Sequence, residues 1–248
     1  MKEINFTWLL GKNALKEAIL SETSIQKVFL QDTLEKDTLY ELLKLCRKYK
    51  ISVVQVPKQK LDRLCPKQHQ GVLGMINPIQ FMDPQDIISK AFEDGKTPCL
   101  LFLDGISDVR NFGAIARSAE VFGVDGIIIT KKNSALINED AIKSSAGALL
   151  NLPICQVSNS AIVLRNLKKM GLQVISCSEK SSKLLSEVDM TQACVFVLGA
   201  EGLGISKEIL DESTMHVAIP QVGQINSLNV SVAAGIICYQ WFIKKDKL

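Results

Sequence analysis

From residue 99 onward, short uninterrupted apolar runs rich in Val, Ile and Leu recur at 99–104, 126–130, 153–157, 173–177, 194–199 and 215–219. Runs of that length suit strands buried on both faces, and the stretches between them mostly carry apolar residues at helical spacing. The alternation predicts an α/β fold in which a parallel sheet is covered by helices. The first eighty residues follow a different order: a helical pattern over 13–20, a short strand at 28–30, a helix over 34–49, then strands at 51–56 and 72–76. That reads as a small separate α/β module. Between them, residues 77–98 turn to Pro, Asp, Gln and Gly around one short helix at 86–92, which reads as a linker. The expected organisation is therefore a domain over 1–80, a linker over 81–97 and a larger domain over 98–248.

Length supports that division, since 248 residues exceed the usual size of one domain. Hydrophobic residues at 47% and charged residues at 22% describe a chain that folds, not a disordered one. The longest apolar stretches, such as 230–238, are too short and too broken by Gly and Ser to span a bilayer, and the first ten residues lack the layout of a signal peptide. A cytoplasmic protein without membrane contact is expected. Seven cysteines, at 46, 65, 99, 155, 177, 194 and 238, form no CxxC pair and mostly sit in apolar runs, as small hydrophobes and not as metal ligands. Net charge is only +3 but uneven: residues 1–80 carry 13 Lys/Arg against 8 Asp/Glu, and the remainder 16 against 18. A polyanionic partner for the amino-terminal module is expected, although any one cluster, such as Lys44–Arg47–Lys48–Lys50, is ordinarily solvated surface.

In parallel sheets ligands bind at the carboxyl ends of the strands, which directs attention to three loops. After the strand ending at Asp104, a polar loop enters a helix of small residues near Asn111, with Arg117 six positions on and close to the same face. Such a helix start favours an anion; the plainer reading is that Asn111 is an N-cap and Arg117 a surface residue. After the strand ending at Gly199 come Ala200, the carboxylate of Glu201, Gly202 and Gly204, a spacing distinct from the G-x-G-x-x-G of dinucleotide sites. After Ile219, a Pro/Gly loop leads to a helix opened by Asn226, Ser227 and Asn229, where capping alone needs one of the three. The two histidines, His69 and His216, read as structural.

In order and spacing these loops resemble the three motifs of the SpoU family of RNA 2′-O-ribose methyltransferases. The run Ser227-Leu228-Asn229-Val230-Ser231-Val232-Ala233-Ala234-Gly235 is the most specific part, and the match spans roughly residues 99–242. The amino-terminal module, with Gly11-Lys12-Asn13-Ala14-Leu15 and His69-Gln70-Gly71, resembles the family's RNA substrate-binding domain. The resemblance implies a carboxyl-terminal trefoil knot and S-adenosylmethionine as methyl donor. By motif, Leu198, Gly199, Gly202, Ile219, Ser227 and Leu228 would hold the donor. Arg117 would be the central catalytic residue, oriented with the ribose and phosphate by Asn111, Glu201, Ser227 and Asn229. A guanidinium stays protonated, so a grip on phosphate and developing alkoxide suits Arg117 better than a role as base. The implied substrate is a ribose 2′-hydroxyl in structured RNA, foremost a guanosine of large-subunit ribosomal RNA. Alternatives are transfer RNA, an antibiotic-resistance site in ribosomal RNA, or a non-catalytic RNA-binding assembly factor. A homodimer through the knot region is implied too, with the small residues 231–235 as a close-packing face, and no metal. The chain departs from the family pattern at Asn13, Val109 and Phe112.

Overall fold

The computed structural model describes residues 8–20, 25–76, 79–224 and 227–245, without the side chain of Glu139. The chain separates into two units between Gln80 and Phe81. Ile225 and Asn226, one of the three expected helix-opening residues, lie outside the described residues.

The first unit runs β1 (Trp8–Leu10), α1 (Lys12–Leu20), β2 (Ile25–Gln31), α2 (Lys36–Lys48), β3 (Val53–Val56), α3 (Lys58–Leu64) and β4 (Val72–Ile76). Its sheet has the order β1-β4-β2-β3, with β4 antiparallel to both neighbours and β2 parallel to β3. Leu15 and Ile19 of α1 and Leu42 and Cys46 of α2 bury against Val28, Leu30 and Val72 on one face. Leu61 of α3 packs with Val56, Cys65 and Leu73 in a second cluster, joined by Trp8 and Phe29. Neither β1 nor α3 is foreseen in the hydrophobic pattern, because three and seven residues are too few to establish a period. His69 is a structural residue at the turn into β4. Its Nε2 donates to Asp62 (2.8 Å), and its Nδ1 accepts from the Gly71 backbone N–H (3.0 Å), holding Gln70 and Gly71 at positive φ.

The second unit runs α4 (Pro84–Glu93), β5 (Cys99–Asp104), α5 (Val109–Val121), β6 (Gly126–Thr130), α6 (Glu139–Ser144), β7 (Ile154–Val157), α7 (Ser160–Lys169), β8 (Gln173–Cys177), β9 (Cys194–Gly199), α8 (Lys207–Glu212), β10 (Met215–Val217) and α9 (Val230–Lys245). Six strands form one parallel sheet in the order β10-β8-β9-β5-β6-β7. The segment expected as a linker is part of this unit. Asp83 caps α4 by accepting from the Gln85 N–H (2.8 Å), and Ile87 and Ile88 join the core of Leu100, Phe102 and Ile128. Its Pro/Asp/Gln composition belongs to the cap and the solvent face, while two adjacent isoleucines supply the buried one. Strand β10 stops two residues before the expected Ile219. There Ala218 leaves β8 and bonds instead to the backbone of Lys183 and Leu185.

His216 is exposed on β10, contrary to the structural role expected of it, because its side chain points away from the core that Val217 enters. The seven cysteines are free thiols, all buried except half-buried Cys177. Among the described residues no helix is long and apolar enough to cross a membrane, and no group of His, Cys, Asp and Glu could hold a metal ion.

The helices over this sheet cross closely, most tightly at Gly113. A Cβ on Gly113 of α5 would fall 1.9 Å from Ser144 Oγ and 2.7 Å from the Ala141 carbonyl oxygen of α6. Gly235 of α9 faces Ser118 of α5, and Ala234 is fully buried. The small residues 231–235, expected as a packing face toward a second copy, thus serve in part the packing of α9 within its own chain.

At the other side of the unit, Arg165 and Lys168 of α7 both donate to Glu212 at the end of α8. The hydrogen bond from Arg165, then that from Lys168, hold the Glu212 carboxyl down at about 2. A carboxyl depressed on folding stabilises the native state above its unfolded pKa and loses that contribution as pH falls toward the folded value. Glu212→Gln should therefore lower the melting temperature at neutral pH, and the gap to wild type should close between about pH 4.5 and 2. Thermal melts across that range are the test; a gap that does not depend on pH would show that the carboxylate charge contributes nothing.

Candidate active site

Strands β8, β9 and β5 lie side by side, so the loops leaving their carboxyl ends meet over one stretch of sheet edge. The loop after β9 is shaped by close backbone approach. Gly204 N–H bonds back to the Ala200 carbonyl (2.8 Å), and Gly202 and Gly204 both take positive φ, where glycine alone is unstrained. A Cβ on Gly199 would lie 2.2 Å from the Gly204 carbonyl carbon and 2.4 Å from the Ile205 nitrogen. Asp104, at the end of β5, accepts from the Ser206 N–H (2.8 Å) and clamps the far end of this loop.

This loop forms one wall of a cleft of about 350 Å³. All six residues expected to hold a donor line it: Leu198, Gly199, Gly202, Ile219, Ser227 and Leu228. Glu201 lines it too. Sequence reasoning missed the opposite wall, Cys177, Ser178, Glu179 and Lys180, although the rule that directed attention to strand ends applies equally to β8. Burial pushes the Cys177 thiol well above its ordinary value, so that wall presents a neutral sulfur. The clamp by Asp104 was missed as well, since a carboxylate ending a strand carries no pattern of its own.

Three expected catalytic residues meet at the edge of the cleft. Glu201 Oε1 accepts from Asn229 Nδ2 (2.7 Å), the Val230 N–H (3.4 Å) and Asn111 Nδ2 (3.5 Å). Asn229 Nδ2 also donates to Asn111 Oδ1 (3.0 Å). Asn229 caps α9: its Oδ1 accepts from the Ser231 N–H (2.9 Å), Ser231 Oγ (2.6 Å) and the Val232 N–H (3.4 Å). Backbone N–H groups can only donate, so capping fixes Oδ1 on the helix and turns Nδ2 toward Glu201 and Asn111.

Two expectations about α5 are corrected. Its N-cap is Asp108, which accepts from the Arg110 and Asn111 N–H groups (2.9 and 2.8 Å). Asn111 is thus inside the helix, and a carboxylate already takes two of the donors that were expected to face an anion. Arg117 does not share the face of Asn111, because six residues along a helix rotate the side chain by about 120° from its start. It is exposed, lies outside the cleft lining, and makes no ion pair among the described residues.

Residues 98–239 match the profile of the SpoU rRNA Methylase family, and residues 8–82 match that of the RNA 2′-O ribose methyltransferase substrate-binding domain. The chain belongs to the SpoU methylase family. It is similar to a putative TrmH family tRNA/rRNA methyltransferase of Staphylococcus saprophyticus, at 37% identity over 96% of each chain. A Staphylococcus aureus protein described in the same words is 35% identical over 96% of each. The fold is that of the SpoU methyltransferase AviRb from Streptomyces viridochromogenes in complex with the cofactor AdoMet, with a TM-score of 0.61 at 21% identity, covering 97% of this chain and 91% of that one. The TrmH/SpoU tRNA modifying enzyme of A. aeolicus is 30% identical, with a TM-score of 0.56, over 61% of this chain and 77% of that one. This SpoU methylase is accordingly an RNA methyltransferase, as the motif resemblance implies.

Gly199 offers a test of the loop's geometry. Gly199→Ala drives a Cβ into backbone, which no rotamer change relieves, and such overpacking costs about 1–3 kcal/mol. The expected outcome is a melting temperature lowered by several degrees, whereas Gly223→Ala, where nothing lies within 4 Å of the added carbon, should leave it unchanged. Equal melting temperatures for all three proteins would overturn the close approach.

Proposed function

We propose that this SpoU methylase transfers a methyl group from S-adenosylmethionine to a ribose 2′-hydroxyl in structured RNA, and that a guanosine of large-subunit ribosomal RNA is its target. The observation that carries the reading is the cleft, with the six motif-assigned donor residues in its wall and the Glu201–Asn229–Asn111 cluster at its edge. Its volume suits a small-molecule site. Its lining suits a nucleoside with an amino-acid tail: apolar Leu198, Ile219 and Leu228 for a flat ring, and a glycine-rich loop for close backbone contact. Similarity to a neighbour solved with AdoMet bound supports the same assignment. The trefoil knot and a cytoplasmic setting belong to this proposal.

When bound, the donor supplies an electrophilic methyl group on a sulfonium. The protein's task is to bring a neutral hydroxyl into line with it and to ease loss of the hydroxyl proton. Asn229, its amide fully engaged by the α9 cap, Glu201 and Asn111, holds Asn111 in place, and the second N–H and remaining Oδ1 lone pair of Asn111 can orient a ribose hydroxyl without reorganising. Glu201 keeps the cluster together and Ser227 lines the donor side. Arg117, exposed outside the cleft and without an ionic partner among the described residues, serves from its own face of α5 the phosphate beside the ribose, as the motif implies; the proton leaves to phosphate or water.

Mapping 2′-O-methyl positions in RNA from cells with and without this chain tests the function, and identical maps would overturn it. For the mechanism, Arg117→Ala should slow single-turnover methyl transfer on the order of a hundredfold or more while leaving donor affinity intact. Arg117→Lys should rescue little, because it keeps charge but loses the planar fork. Near-normal transfer by Arg117→Ala would remove the residue from the reaction.

The homodimer is also part of this reading, with a revised contact surface. On α9, Val232, Ile236 and Tyr239 are 50%, 37% and 52% exposed at helical spacing, continuing toward Phe242 and, on α5, Val121. This apolar stripe, and not the small residues between it and α5, is the surface a second copy would cover. Ile236→Asp should convert a dimer to a monomer in sedimentation; a wild-type protein that stays monomeric at all concentrations would contradict the assignment.

A further inference from the structure

Helix α2 of the first unit buries Leu42 and Cys46 and turns its other face to solvent. On that face Lys36, Tyr40, Lys44 and Arg47 fall within an arc of about 80°, with Lys48 beside them. All five are exposed, and Tyr40 is 70% exposed. The acidic residues near this face are largely occupied or placed at its start. Glu41 pairs with Lys16 of α1, Glu35 accepts from Thr38 (3.4 Å), and Asp37 sits in the first turn, where the helix dipole favours it.

Ordinary helix electrostatics account for only part of this pattern. Arg47 and Lys48 lie in the last turn, where a cation is stabilised by the dipole. Lys36 lies in the first turn, against the dipole, and neither Lys44 nor an exposed aromatic ring at its centre is explained in that way. Lys48 is also the cation that approaches Tyr49, 5.3 Å from the ring, so aromatic surface and positive charge recur together at the helix end.

We infer that the exposed face of α2 is an RNA-binding surface on which Tyr40 stacks an unpaired base while Lys36, Lys44, Arg47 and Lys48 hold the flanking phosphates. The inference rests on the RNA-directed reading of the family's substrate-binding module, which spans residues 8–82. Cations spaced along one stripe match a phosphate backbone, and a ring standing between them matches a base unstacked from a single-stranded loop. Salt-dependent counterion release would supply most of the affinity, and the tyrosine a preference for unpaired over duplex RNA.

The test uses the full chain and unmodified large-subunit ribosomal RNA transcribed in vitro, with polyuridylate as a single-stranded probe. Tyr40→Ala should weaken binding of both probes about tenfold, and Tyr40→Phe should retain most of the affinity. Exchanging Lys44, Arg47 and Lys48 for Gln should lower the salt slope by about one unit for each phosphate that is no longer neutralised. Melting temperature and donor affinity should stay as in wild type, since these side chains are exposed. An unchanged salt slope, or equal affinity for wild type and Tyr40→Ala, would overturn the surface. Failure of the function itself looks different: the protein would bind RNA with these dependences yet transfer no methyl group.

Discussion

A single carboxylate oxygen organises the edge of the cleft. Glu201 Oε1 accepts hydrogen bonds from the loop preceding α9, from α9 itself and from α5, and so binds the β9 loop to two helices far apart in sequence. Each partner is otherwise constrained. Asn229 is committed to the first turn of α9, and Asn111 to the first turn of a helix that Asp108 caps. Because every participant has a second attachment, the cluster is stiff before any substrate arrives. Stiffness of this kind is what electrostatic catalysis requires, since donors and acceptors that need not reorganise give their full effect when charge develops.

That cluster depends in turn on how closely the α5 and α9 helices approach each other and the sheet. Gly113 lets α5 reach α6, and Gly235 with Ala234 lets α9 lie close to α5 and the strands beneath. A side chain at Gly113 would push α5 off α6 and shift Asn111 against Asn229, whose amides are 3.0 Å apart. On the other side of the cleft, Gly199 performs the same service for the β9 loop. The small residues are therefore positional: they set distances between polar groups that they never touch.

Much of this was legible in the sequence because strand-end loops concentrate chemistry and because buried parallel strands are distinct apolar runs. Glu201, Asn229 and the six cleft-lining residues were reachable by motif. Two features were not. The β8 loop, Cys177 to Lys180, carries no glycine pattern and is identified only by its neighbour in the sheet, which sequence order does not disclose. Helix α4 is legible as a short helix at 86–92, but its place in the second unit is not, because its polar face and its Pro start look like linker while its two core isoleucines are too few to show a buried face. The direction of Arg117 follows from helix geometry alone: six positions is not a whole number of turns, so Arg117 stands about 120° from Asn111 once both lie inside α5.

The charge asymmetry between the halves of the chain acquires a physical meaning from these sites. Around the cleft, the carboxylates Asp104, Asp108 and Glu201 are engaged by N–H donors, so this region is shaped mainly by hydrogen bonds at fixed distances. In the first unit, cations stand exposed on α2 where water and salt screen them. Interactions of the first kind select geometry and change little with ionic strength; those of the second gather a polyanion from a distance and weaken as salt rises. An RNA-modifying enzyme needs both, a long-range attraction indifferent to sequence and a short-range arrangement that admits one ribose. On the proposed reading the two kinds of interaction fall to separate units, and the excess positive charge of residues 1–80 belongs to the second kind.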